Sequence, residues 1–165
     1  METLPRIKAK KIEKAKNHKS PWVLLKCFTD EYYKIMKKLR NDEKFNISQE
    51  TLLSFCSLCS EIDNGGFIQL IQNQMDEYLF DKPFLEEIKS WGANDFVKIV
   101  EEVKVIYNNT KEKFAPKSSQ KEFLKLYKTN DFGPLEDKFY EMEDKEAEKI
   151  KIYIGRNVEK FAIVV

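Results

Sequence analysis

No apolar run in this chain approaches the ~20 residues of a membrane-spanning helix, and the basic N-terminus lacks the apolar core of a secretory signal. A cytoplasmic protein that does not engage membranes is the expectation. Histidine occurs once, at His18 in a Lys-rich stretch where neither burial nor an orienting carboxylate is expected, so Ser-His and Cys-His nucleophile pairs lack their base. The three cysteines, Cys27, Cys56 and Cys59, are an odd number without an export signal, which fits reduced thiols better than a disulfide framework. Cys56 and Cys59 have C-x-x-C spacing, but they fall mid-helix, and a zinc site would have to recruit Cys27 and His18; they read as small core residues, with no metal expected.

Glycine and proline are also scarce, with five of each in 165 residues, and the only adjacent glycines are Gly65 and Gly66. The stretch Glu61-Ile62-Asp63-Asn64-Gly65-Gly66-Phe67 therefore interrupts a sequence that otherwise favours helix throughout. The spacing predicts that one helix ends here and another begins within a few residues, with Asn64 as cap. After the joint, Phe67, Leu70, Ile71 and Met75 share one helical face, while Gln69, Asn73 and Asp76 share the other. Free N–H groups at Asn64-Gly65-Gly66 can receive an anion. The short loop and the missing Lys-Ser/Thr after the glycines weaken a nucleotide-binding reading, and no cofactor is expected.

Asn-Gly-Gly-Phe, followed by Gln69 and Asn73, resembles the signature of a DNA-mimic-protein-like family, a bacterial domain of unknown function whose best-known member is a DNA-mimic protein. The likeness continues through Trp91-Gly92-Ala93 and Leu135-Glu136-Asp137-Lys138-Phe139-Tyr140 to Tyr153-Ile154, covering about residues 50–161. The resemblance implies an all-helical, protein-binding domain without established catalytic residues.

Helical spacing recurs along the whole chain. A basic N-terminal arm, residues 1–19, reads as a frayed or self-docking segment, followed by one helical domain over residues 20–165. Ser20-Pro21 signals a helix running to about Arg40, and Ser48 is the expected cap of the helix that enters the joint. Asp81-Lys82-Pro83 starts another that Gly92 stops, and Asn94 is the expected cap of the next, through Tyr107. Residues 111–120 form the best candidate loop. Short helices are expected near Phe123–Tyr127 and from Gly133-Pro134 to Tyr140, with Asp144 capping a last one that carries Ala147, Ile150, Ile154, Val158 and Phe161. Alternating strand patterns are weak and confined to residues 151–154 and the Ala162–Val165 tail, so the fold class is all-α, with about seven helices and no substantial sheet.

The net charge of +1 conceals segregation: residues 1–46 carry 13 Lys/Arg against 6 Asp/Glu, whereas residues 47–102 carry 3 against 11. Asp76, Glu77, Glu86, Glu87, Glu101 and Glu102 are the candidate acidic surface. Neighbouring carboxylates point apart on a helix, so they form no acid/base pair. The expectation is a non-enzymatic protein-interaction module whose acidic middle meets a protein partner, such as a nucleic-acid-binding protein or a regulator. The alternative is a small-ligand or anion binder at Asn64-Gly65-Gly66, where Phe67, Gln69 and Asn73 complete the candidate site. Direct nucleic-acid binding is not expected, because the basic arm lacks interleaved aromatics. Partner identity and oligomeric state are not legible at this level.

Overall fold

A computed structural model describes residues 2–114 and 120–165. A short strand β1 (Arg6–Ile7) leads into helix α1 (Ala9–Lys16), then α2 (Trp22–Met36), α3 (Ile47–Gln72), α4 (Asp76–Leu79), α5 (Lys82–Ser90), α6 (Asn94–Thr110), α7 (Gln120–Lys128), α8 (Gly133–Arg156) and β2 (Ile163–Val164). Among the described residues, eight helices and a two-residue parallel pairing, Arg6 with Ile163 and Ile7 with Val164, make the fold all-α. Of the loop expected over residues 111–120, Lys111–Phe114 is a 3-10 turn and Gln120 opens α7. The rest, including Pro116 and the paired serines, lies outside the described residues.

Aromatics supply the largest side chains of the core. Tyr32, Phe28, Phe55, Phe67, Phe96, Phe132, Phe139 and Phe161 are each less than 2 % exposed, and burying a side chain of this size favours folding by roughly 1.5–3 kcal/mol before entropy is charged against it. The rings interlock across helices, as where Phe55 of α3 meets Phe96 of α6 edge-on at 5.2 Å and stacks on Trp22 at 5.8 Å. Helix α8 lies against α6, α3 and α2 together.

Four expected boundaries move. The cap of α3 is Asn46, not Ser48: the Asn46 side chain accepts from the Gln49 backbone N–H at 2.9 Å while the Gln49 side chain accepts from the Asn46 N–H at 3.1 Å. This reciprocal pair satisfies two orphan donors, and it leaves Ser48 free to donate to Glu87 at 2.7 Å. The two helices expected on either side of Asp144 are one, α8, because Leu135, Phe139, Ala147, Ile150 and Ile154 keep a single buried stripe through that position. Asp144 instead accepts from the Trp22 indole N–H at 2.8 Å. Helix α6 has no side-chain cap from its own segment; Glu146 of α8, 1 % exposed, accepts from the Asp95 and Phe96 N–H groups at 3.1 and 3.2 Å, in place of the expected Asn94. Residues 151–154 are helical and belong to α8.

The basic N-terminal segment is docked. Ile7, Ile12 and Ala15 are buried, β1 pairs with β2, and the buried Gln49 side chain donates to the Thr3 carbonyl at 3.0 Å. Helix α1 packs on α2, with Lys11 paired to Glu31 at 2.7 Å. Residues 2–16 thus contribute to the core through Ile7, Ile12 and Ala15.

Candidate functional site at the helix break

Helix α3 is broken internally at the paired glycines. Gly65 has φ −164° and ψ 23°, and Gly66 has φ 69° and ψ −172°, the second a region that only glycine enters without strain. The chain therefore turns within two residues and resumes as helix at Phe67. Such a break leaves carbonyls unpaired on its N-terminal side and N–H groups unpaired on its C-terminal side.

Groups from α7, α8 and the loop between them fill these vacancies. The Tyr140 hydroxyl donates to the Ile62 carbonyl at 3.0 Å, and the Tyr127 hydroxyl donates to the Gly65 carbonyl at 2.7 Å. On the other side the Phe67 N–H donates to Glu136 Oε1 at 2.9 Å, and Asn130 Nδ2 holds Oε2 of the same carboxylate at 2.8 Å. A carboxylate at a helix N-terminus both satisfies an orphan donor and opposes the positive end of the dipole. Its closeness requires Gly66, since a Cβ there would fall 2.0 Å from Glu136 Oε1. Burial, with a lesser contribution from the Glu136 charge, raises the Tyr127 and Tyr140 hydroxyls above their ordinary range and keeps them as donors.

Of the sequence-derived site residues, Asn64 is exposed and does not cap; Glu136 takes that role. Phe67 is fully buried against Phe132 and Phe139. Gln69 and Asn73 converge, both donating to Glu61 Oε2 at 3.2 and 2.7 Å, which braces the two halves of α3 across the break. At the joint the Phe67 N–H is taken by the Glu136 carboxylate. Sequence reasoning quoted Glu136 and Tyr140 only as part of a family likeness and did not assign them to the joint.

Beside the break, α2, α3 and α8 enclose a groove of about 560 Å³ lined by Lys26, Asp30, Tyr33, Ser57, Asp63 and Glu143 among others. Asp63 and Glu143 both line this groove and interact electrostatically. Burial, then repulsion from Asp63, pushes Glu143 up to about 7, and Asp144 adds further negative charge. Asp63 is likewise raised, chiefly by burial. Cys56 and Cys59 back the same groove as free thiols, with burial pushing Cys56 up to about 12 and Cys59 upward as well.

The six acidic residues singled out in the middle segment are not gathered into one cluster of equivalent groups. Glu87 accepts from Ser48 and from the Trp91 indole N–H at 3.2 Å, Asp76 accepts from Tyr107 at 2.8 Å, and Glu86 and Glu102 pair with Lys82 and Lys138 at 3.6 and 3.2 Å. Glu77 and Glu101 stay exposed.

A family model for DMP19-like proteins matches residues 43–157, a span that contains the break in α3 and every group that fastens it. This chain belongs to the DMP19-like protein family. A relative, DNA mimic protein DMP19 of Neisseria meningitidis serogroup B (strain ATCC BAA-335 / MC58), is 28% identical over 117 residues, covering 69% of this chain and 70% of the relative. Among the described residues of this DMP19-like chain, no helix is long and apolar enough to cross a membrane.

Proposed function

We propose that this DMP19-like chain is a non-enzymatic protein-interaction module that acts as a DNA mimic, presenting carboxylates where a DNA-binding protein expects phosphates. The observation that carries the reading is the meeting of Asp63 from the acidic middle with Glu143 and Asp144 from α8 beside the break in α3, a carboxylate cluster that resists full ionisation in the free chain and whose ionised form a cationic partner would favour. With a net charge of only +1, mimicry has to be local. A face of this kind attracts a basic protein over short range. Of the acidic middle segment, Glu101 is a further exposed carboxylate, whereas Glu86 and Glu102 pair with lysines and Glu87 serves the fold. The relative's name, that of a DNA mimic, supports the same class of partner, a protein that binds DNA.

Displacement from immobilised DNA tests this reading. Host lysate is loaded on duplex DNA-cellulose and the purified chain is added at low salt. Release of one or a few DNA-binding proteins is expected, together with loss of that release for the Asp63→Asn, Glu143→Gln, Asp144→Asn triple variant. An Asn at position 144 can still accept from the Trp22 indole, so the fold is retained. Release of nothing, or equal release by the variant, would sink the proposal.

A further inference from the structure

A second groove, sharing no residue with the first, lies between the start of α3 and the α4–α5 corner and encloses about 640 Å³. Its α3 rail is built from Ile47, Glu50 and Thr51, spaced so that all three face one side of the helix. Met36 and Tyr78 close the groove, with Glu77 beside them. Three of these side chains are apolar bodies left largely uncovered: Ile47 is 46%, Met36 44% and Tyr78 60% exposed. Glu50 and Glu77 are exposed and make no ion pair or hydrogen bond among the described residues, in contrast to Glu86 and Glu102. The Thr51 hydroxyl is the independent sign of a ligand. Thr51 is 1% exposed, and its Oγ1 has no hydrogen-bond partner among the described residues, an arrangement whose cost a protein ordinarily avoids.

We infer that this groove docks a basic amphipathic segment of a protein partner, an arginine- and leucine-bearing helix of about two turns. Its apolar side chains would lie on Met36, Ile47 and Tyr78, its guanidinium groups would meet Glu50 and Glu77, and one donor would satisfy Thr51. The chemistry follows from charge and shape. Apolar walls call for an apolar stripe, two unpaired carboxylates call for cations, and arginine carries enough donors to serve a carboxylate and a hydroxyl together. The rail from Ile47 to Ser54 spans roughly 10 Å at 1.5 Å per residue, which sets the length of the occupant. The inference goes beyond DNA mimicry, since it requires an apolar stripe that phosphate recognition does not use.

The probe is a fluorescein-labelled, end-blocked peptide of leucine and arginine at helical spacing, titrated by fluorescence anisotropy against the full chain. Its counterpart carries glutamate in place of arginine. We expect the arginine peptide alone to bind, with affinity falling at least tenfold in Glu50→Gln, Glu77→Gln and less than twofold in Asp63→Asn, Asp144→Asn. Thr51→Val keeps the side-chain shape; it should raise the melting temperature of the free chain while weakening the peptide by about threefold, a combination that a purely structural threonine does not give. Equal loss in the two acidic double variants would mean unspecific attraction and overturn the inference, as would binding of the glutamate peptide or an affinity indifferent to Thr51→Val. The DNA-displacement result is independent of this outcome, because the triple variant and the groove variants share no position in this groove.

Discussion

Replacing Gly66 by alanine tests the construction of the break in α3. The backbone there, φ 69° and ψ −172°, costs an L-residue about 1–3 kcal/mol. The new methyl would also sit 2.0 Å from Glu136 Oε1, so the carboxylate must swing away from both the Phe67 N–H and Asn130 Nδ2. Losing a hydrogen bond to a charged acceptor adds about 1.5–3 kcal/mol. Together the two effects predict a destabilisation of about 3–5 kcal/mol, and at roughly 2–4 °C per kcal/mol for a chain of this size the melting temperature should fall by on the order of 10 °C. The assay is thermal and urea unfolding followed by circular dichroism, performed as a cycle with Glu136→Ala. Once Glu136 is gone, Gly66→Ala should cost only the backbone part, about 1–3 kcal/mol, so the pair is non-additive. An unchanged melting temperature, or an identical cost in both backgrounds, would refute the reasoning.

Glu143 is raised in the folded chain to about 7, so the native state holds its proton more tightly than the unfolded one, and stability should decline as pH rises from about 4.5 to 7. Glu143→Gln should flatten that decline and stabilise the protein at pH 8 by on the order of 1 kcal/mol after screening by solvent, as read by urea titration at several pH values. Glu146→Gln leaves Lys149 only its longer ion pair with Asp95 at 3.8 Å and weakens the cap on α6, so a loss of about 2–3 kcal/mol is expected in the same unfolding assay. Burial raises Cys27, Cys56 and Cys59 above the usual thiol range. Ellman's reagent at pH 8 should therefore react slowly with the native chain and fast after denaturation, and rapid native labelling would contradict the packing.

What the sequence made legible is what depends on local spacing. Buried stripes such as Leu24, Leu25, Phe28 and Tyr32, or Phe96, Val97, Val100 and Val103, follow from helical periodicity. Gly92 at φ 94° follows from its place one residue past the α5 cap, and the glycine pair follows from its rarity. What stayed hidden depends on partners far away in the chain. Ser48, Asn94 and Asp144 are good capping residues by type, yet α6 and the second half of α3 are capped by Glu146 and Glu136 of α8, whose arrival only the packing of α8 determines. The acidic middle was legible as a count of charges and illegible as a surface, because Glu86 and Glu87 project in different directions and only one of them is taken up by Ser48 and Trp91. Likewise Asp63 acquires its counterpart in Glu143 only when α8 folds across α3.

The measurement closest to the central claim is competition on a purified partner. The DNA-binding protein released from DNA-cellulose would be titrated with labelled duplex DNA and then with this chain, at several salt concentrations. A DNA mimic should displace the DNA completely and competitively, with its own affinity falling as salt rises and falling again in the Asp63, Glu143 and Asp144 triple variant. A stable ternary complex of partner, DNA and chain, or an affinity untouched by salt and by those three substitutions, would contradict the account.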